Sequence, residues 1–299
     1  MLATDWRGVF PAITTPFHED LTVDHDCLRE HVAWLTERGS RGIVALGSLG
    51  EGATLSFDEK IELLESCKAA IAGRVPLVAG ISALSTHEAV ELAKAADKLG
   101  CDGLMVLPPY VYKSEWREMK AHLEAIITAT PLSCMLYNNP LAYDTDFLPS
   151  QIAELCSHRN LHSVKESSAD IRRIAAIRAL VGDRLAIFVG VDDLIVEGIA
   201  AGAVGWIAGL VNALPDESMR LFDIATAGDK AATRSLYEWF LPLLRLDLGP
   251  KFVQLIKLVQ SELGRGSARV RPPRLELEGA ELAETLSLIR ERLASRPAA

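Results

Sequence analysis

Lys165 is the residue whose type and setting could do chemistry most directly. It ends the short apolar run Leu161-His-Ser-Val-Lys165 and leads into the polar stretch Glu166-Ser-Ser168. A second run, Leu132 to Leu136, ends at Tyr137-Asn-Asn-Pro140. Successive strands of a parallel α/β barrel deliver the residues at their C-terminal ends to one rim, so an amine and a phenol would meet there. An amine inside a barrel is costly to hold as an ammonium, which frees it to attack a carbonyl or displace a cyclic imine. The resulting iminium acidifies the adjacent carbon, and a phenol within reach can carry the proton. The pair therefore predicts Schiff-base chemistry, with Lys165 as nucleophile and Tyr137 as proton carrier. Ser48 and Tyr110, at two other predicted strand ends, would extend a hydroxyl relay to bulk water. Backbone N–H groups around Ser48–Gly50 would hold a carboxylate, as glycine-rich turns do for anions.

Taken singly, each residue has a blander reading. A lone strand-end lysine is often a snorkelling surface residue, and a lone tyrosine a core aromatic. Glu51 either braces its own loop or touches substrate. Ser167 and Ser168 read as helix caps, and Asp192 and Asp193 as turn residues. His18, His25, His31, His87, His122 and His158 fall in loops or on helix faces and read as solvated, while His162 reads as structural. Lys257 lies on an amphipathic helix without strand context, which makes it a poor rival to Lys165.

The strand count decides between these readings. Short apolar runs at Gly8–Ile13, Gly42–Leu46, Pro76–Gly80, Gly103–Leu107, Leu132–Leu136, His162–Lys165, Ala186–Gly190 and Val204–Ala208 alternate with segments of helical period. Eight such units in series predict an α/β fold of (β/α)8 TIM-barrel type. Ser56-Phe-Asp-Glu59 reads as a capping box opening a helix over Lys60–Ile71, and Ser85-Thr-His-Glu88 opens Ala89–Leu99. Trp116–Thr128, Gln151–Cys156 and Ile171–Leu180 fill the next helical places. Gly100, Gly182 and Gly202 fall where helices should stop. A doubly wound sheet would need a phosphate-binding glycine turn, which Gly47-Ser-Leu-Gly50 does not match. Helices over Asp216–Ala227, Lys230–Leu244 and Lys251–Leu263, a Pro-rich strap at Arg271-Pro-Pro-Arg274, and a last helix over Ala280–Leu293 follow. The chain thus divides into a barrel, 1–215, and a helical extension, 216–299, packed on it.

Composition narrows the class. The chain has 299 residues, 49% of them hydrophobic, enough for a large core. A formal net charge of −9 argues against nucleic-acid or anionic-membrane partners. The five cysteines, Cys27, Cys67, Cys101, Cys134 and Cys156, form no C-x-x-C pair and suit a reducing compartment. No signal-peptide pattern or membrane span is apparent, and a cytoplasmic protein is expected. The predicted rim lacks the His/Asp/Glu cluster of a metal site, so neither metal nor cofactor is expected.

Thr15-Pro-Phe17 after Gly8, Gly47-x-x-Gly-Glu51, Tyr137-Asn-x-Pro140, the Lys165 strand and Gly190-x-Asp192 together resemble the dihydrodipicolinate synthase / N-acetylneuraminate lyase family of Schiff-base aldolases and lyases. The resemblance runs from Gly8 to about Leu293 and implies a barrel with a C-terminal helical bundle. It implies Lys165 as the Schiff-base lysine, Tyr137 as proton shuttle, and Ser48 at a place where the family usually has threonine. Tyr110 would be a tyrosine donated across a dimer interface in a homotetramer, a dimer of dimers. Leu49, Gly50, Gly190 and Ile207 are the expected substrate-binding positions. Two departures bear on substrate. Leu49 replaces a second threonine, and Ala142 replaces the arginine with which dihydrodipicolinate synthases hold the second substrate's carboxylate.

A narrower resemblance runs through Lys165-Glu-Ser-Ser-Ala-Asp-Ile-Arg-Arg173, Tyr237-Glu-Trp-Phe-Leu-Pro-Leu-Leu244 and Gly264-Arg-Gly-Ser to Arg-Pro-Pro-Arg-Leu275. It is similar to the 1-pyrroline-4-hydroxy-2-carboxylate deaminases of hydroxyproline breakdown, which release 2,5-dioxopentanoate and ammonia. The alternatives are another 2-oxo-acid aldolase, a sugar-acid dehydratase, a dihydrodipicolinate synthase, or a ligand-binding regulator that keeps the fold.

Overall fold

The computed structural model describes every residue except Leu2, Val111, Ala298 and Ala299; the last two end the expected extension. Eight short strands form the centre: β1 (Gly8–Pro11), β2 (Ile43–Ala45), β3 (Leu77–Ile81), β4 (Gly103–Val106), β5 (Ser133–Asn138), β6 (Leu161–Glu166), β7 (Ala186–Val189) and β8 (Gly205–Ala208). All pair in parallel in the order β1-β8-β7-β6-β5-β4-β3-β2, and a bridge from Ala12 to Val44 brings the two edges together. The predicted (β/α)8 barrel is the fold, with strand ends shifted by one or two residues. Nearly every strand residue is buried, as both faces of a barrel strand must be.

The helices are α1 (His25–Glu37), α2 (Phe57–Ile71), α3 (Thr86–Lys98), α4 (Trp116–Ile127), α5 (Pro140–Tyr143), α6 (Pro149–Leu155), α7 (Arg172–Val181), α8 (Ile195–Ala200), α9 (Pro215–Ala227), α10 (Lys230–Leu244), α11 (Phe252–Glu262) and α12 (Gly279–Ala294). Local chemistry sets several of their ends. The capping box forms as expected, Ser56 Oγ accepting from Glu59 N while Glu59 accepts from Ser56 N. Ser85 caps α3 by accepting from Glu88 N. Helices α1, α5 and α8 were not anticipated; the last two are too short to show a clear period. Helix α9 packs on β1, and α10 joins it to α12.

Aromatic rings fill the N-terminal half of the barrel. Phe10 and Phe188 meet edge-on with centroids 5.4 Å apart, and Trp6 stacks on Phe10 at 5.9 Å. Glycine is required beside them, since a Cβ at Gly42 would lie 2.8 Å from Phe10 Cζ and one at Gly205 2.6 Å from Phe188 Cδ1. Beyond this plug a cavity opens at the C-terminal ends of the strands. No helix of the described residues is long and apolar enough to cross a membrane. All five cysteines are free.

Two histidines depart from expectation. His31 and His122 are buried rather than solvated. His31 packs under the barrel's closing edge, with Nε2 2.9 Å from Asn212 Oδ1. Asn212 donates its amide to Ala12 O and Gly209 O, so its oxygen must accept and Nε2 carries the proton. Burial pushes His31 down to about 4. The His122 ring meets Thr86 Oγ1 at 2.9 Å.

Candidate active site

The register of β5 on β6 places Tyr137 directly beside Lys165, so both side chains leave the sheet on the same face. Lys165 Nζ sits 4.1 Å from the centroid of the Tyr137 ring, within cation–π range. Both residues are buried. They line a cavity of about 460 Å³ at the C-terminal end of the barrel. The size suits a small organic acid.

Glycine at 190 is what lets the lysine lie where it does. A Cβ there would fall 2.6 Å from Lys165 Cε and 2.8 Å from its Cγ. The same atom would strike Ser167 Oγ. Ser167 is therefore not the helix cap its position suggested: its hydroxyl is buried against Gly190 at the cavity wall, without a hydrogen-bond partner among the described residues. Ser168 does act locally, accepting from Asp170 N at 3.3 Å.

Ser48, expected in a hydroxyl relay, meets a residue that the sequence did not single out. Ser48 Oγ is hydrogen-bonded to Tyr143 OH, and the Tyr143 ring meets Tyr137 edge-on at 6.0 Å and Tyr110 at 5.6 Å. Helix α5 folds back immediately after β5, and Asn139 starts it by accepting from Ala142 N. That turn brings Tyr143 over the cavity, six residues beyond Tyr137. Asn139 Nδ2 donates to the Tyr137 oxygen at 2.8 Å. Burial, followed by the nearby Tyr137, pushes the Tyr143 phenol up. Tyr110 is also pushed up by burial, with a hydrogen bond to Ser82 opposing. Tyr110 lines its own chain's cavity.

Leu49, Gly190 and Ile207, the expected substrate-binding positions, line the cavity, and so does Ala142. Gly50 lies outside the lining, where a Cβ would sit 2.9 Å from Ile13 O; its own carbonyl accepts from Thr15 Oγ1 at 2.6 Å. Among the described residues, none accepts from the backbone N–H of Ser48 or Leu49.

Glu51 braces the loop. Its carboxylate receives Lys257 Nζ at 2.6 Å and Arg271 N at 2.9 Å, all within the protein interior. Lys257 is thus a structural partner, and burial lowers it while Glu51 opposes that shift. Asp192 is no turn residue in the ordinary sense. Its buried carboxyl accepts from Trp206 Nε1 at 2.9 Å, Leu210 N at 2.8 Å and Gly209 N at 3.1 Å, and burial pushes it up to about 6. No group of three or more metal-binding side chains occurs among the described residues.

Two charged lining residues come from the C-terminal part of the chain, Asp247 and Arg274. Neither stands out in sequence by helical or strand period. Asp247 offered one faint signal, a single acid between Leu246 and Leu248.

A (β/α)8 barrel with a buried lysine–tyrosine pair at its C-terminal rim defines the class of the protein. Comparison with known proteins gives the family. A model of the dihydrodipicolinate synthetase family matches residues 5–292. The 4-hydroxy-tetrahydrodipicolinate synthase of Citrifermentans bemidjiense is 32% identical over 286 residues, spanning 96% of this chain and 98% of the relative. That of Haloarcula marismortui is 32% identical over 283 residues, spanning 94% and 92%. Among solved structures, dihydrodipicolinate synthase from Aquifex aeolicus superposes with a TM-score of 0.91 at 27% identity, over 97% of this chain and 98% of that one. The 4-hydroxy-tetrahydrodipicolinate synthase of Methylacidiphilum fumariolicum gives 0.90 at 28% identity, over 97% of each. The chain belongs to the dihydrodipicolinate synthetase family, a family of class I lyases.

Proposed function

We propose that the protein is a Schiff-base deaminase that converts 1-pyrroline-4-hydroxy-2-carboxylate to 2,5-dioxopentanoate and ammonia. Lys165 attacks C2 of the cyclic imine and opens the ring by transimination, leaving a terminal amine on C5. Tyr137 helps remove a C3 proton, relayed through Tyr143 and Ser48, and the enamine expels the C4 hydroxyl as water. Proton movement from C5 turns the amine into an imine. Hydrolysis at C5 releases ammonia, and hydrolysis at C2 releases Lys165. One water leaves and two enter, so the reaction consumes one overall. The free N–H groups of Ser48 and Leu49 hold the substrate carboxylate. Tyr110 and the hydrophobic side chains exposed on the same rim, Leu84, Tyr112 and Leu141, suit an interface with a second copy. That is consistent with a homotetramer.

The observation that carries the narrower reading is Ala142. It lines the cavity with a methyl group at the place where the synthases' arginine is expected, so that clamp on a second carboxylate is missing. The test is turnover of the hydroxy-pyrroline followed by ammonia release, with borohydride trapping of the adduct. Ammonia release and an adduct on Lys165 are expected. No ammonia from the wild-type protein would end the reading.

A second reading has support of its own. Arg274 lines the cavity from the strap, and no hydrogen bond or ion pair to its guanidinium is found among the described residues. It could hold a distal carboxylate in place of the missing arginine, as a 2-oxo-acid aldolase or a 4-hydroxy-tetrahydrodipicolinate synthase would require. Product analysis with pyruvate plus carboxylated aldehydes separates the two readings.

A further inference from the structure

Asp247 is a costly residue to keep where it is. It lies between α10 and α11 and lines the cavity, its carboxyl laid over the backbone of Gly209. A Cβ at Gly209 would fall 2.6 Å from Asp247 Cγ. No hydrogen-bond donor reaches that carboxyl among the described residues, in contrast to Asp192, which has three on the other side of Gly209. A half-buried carboxyl that faces a cavity without a donor from the protein can take its partner from a ligand. Lys165 is the cation that acts on Asp247, and the acids Asp192 and Asp193 oppose it. Burial, then Asp192, push Asp247 well up, the direction a proton donor needs.

A 2-oxo acid presents only a weakly basic carbonyl oxygen, which leaves as water. A cyclic imine presents a more basic ring nitrogen, which must leave C2 as an amine when the lysine takes its place. We propose that Asp247 is the catalytic acid for ring opening: it protonates the substrate's ring nitrogen and then, as a carboxylate, holds the cations that result. The step balances. The neutral imine, the Lys165 amine and the Asp247 acid give a Lys165 iminium, a free C5 amine and an Asp247 carboxylate. The C2–N bond of the ring breaks, the C2–Nζ bond takes its place, and the proton from Asp247 and one from Nζ end on the departing nitrogen. This inference rests on the deaminase reading and names the residue that would make the cavity selective for a nitrogen-bearing ring.

The test compares two trapping substrates in Asp247→Asn, which keeps the side-chain shape and cannot give up a proton. With the hydroxy-pyrroline, kcat/KM and the rate of borohydride-trapped adduct should fall by roughly 100-fold, the lower range for loss of a general acid. With pyruvate, which has no ring nitrogen, the loss in the rate of adduct formation should be smaller by at least about tenfold. Equal losses with both substrates would mean that Asp247 serves the lysine alone and would overturn the inference. So would an unchanged rate with the hydroxy-pyrroline. A wild-type protein that releases no ammonia from the hydroxy-pyrroline fails at the deaminase reading, a result distinct from either of these.

Discussion

Lys257 on α11 and Glu51 in the loop after β2 form a buried ion pair at 2.6 Å, although 206 residues separate them. Phe17 lies against the same cluster, with Lys257 Nζ 4.5 Å and the Arg271 guanidinium 4.7 Å from its ring centroid. Arg271 in turn holds Glu59 through two contacts of 2.8 Å. The C-terminal helices thus fix the loop that carries Ser48 and Leu49. Glu51 itself stands at a φ of 53°, a left-handed conformation that the ion pair and the Arg271 N–H hold in place.

Removing one partner leaves the other charge buried and alone. Lys257→Met should cost about 3–5 kcal/mol in denaturant unfolding, the range for a broken buried pair. The double variant with Glu51→Gln should recover part of that loss. Additive losses would show that the two residues do not act as a pair.

Gly190→Ala should leave the fold intact and reduce turnover by roughly 100-fold, the scale expected when a reacting group is displaced by about 1 Å. The added methyl occupies the space of Lys165 Cε and Cγ. Circular dichroism and steady-state kinetics on the same preparation check both halves of this expectation.

Tyr143 and Ser48 should behave as one unit. Tyr143→Phe and Ser48→Ala are each expected to lower kcat by roughly 10- to 100-fold, somewhat below the full effect of losing a general acid–base group. The double variant should be little worse than either single one, because both break the same hydrogen bond. Multiplied losses in the double variant would count against a shared relay.

His31 predicts a loss of stability toward acid. Its folded value, about 4, lies below the ordinary 6.5, so between those pH values the unfolded chain binds a proton that the folded one refuses. Stability therefore rises with pH across that window and falls as pH drops from 6.5 toward 4, by at most about 3 kcal/mol. His31→Gln should flatten this part of the curve. Urea unfolding at pH 7 and pH 5 is the measurement.

Much of this architecture was legible because it is local. Strands β1 to β8 announce themselves as short apolar runs, and the caps at Ser56 and Ser85 depend on residues three apart. Lys165 and Tyr137 could be paired from the chain alone, since adjacent parallel strands present equivalent ends on one rim. Short helices were harder: α5 has four residues, and a stretch of that length carries no measurable period.

The sequence by itself determined the barrel, the lysine, the tyrosine and the family resemblance, all of which rest on periodicity and motifs within short windows. Only the tertiary structure decided which distant residues complete the cavity. Tyr143 reaches Ser48 through the fold of α5, Arg274 enters from a strap, and Asp247 arrives from between two C-terminal helices. It also turned Glu51 and Lys257 into partners, and His31 and His122 into buried groups. The physical reason is that burial and charge pairing depend on what surrounds a side chain in space, and here those surroundings come from segments up to 200 residues apart or more.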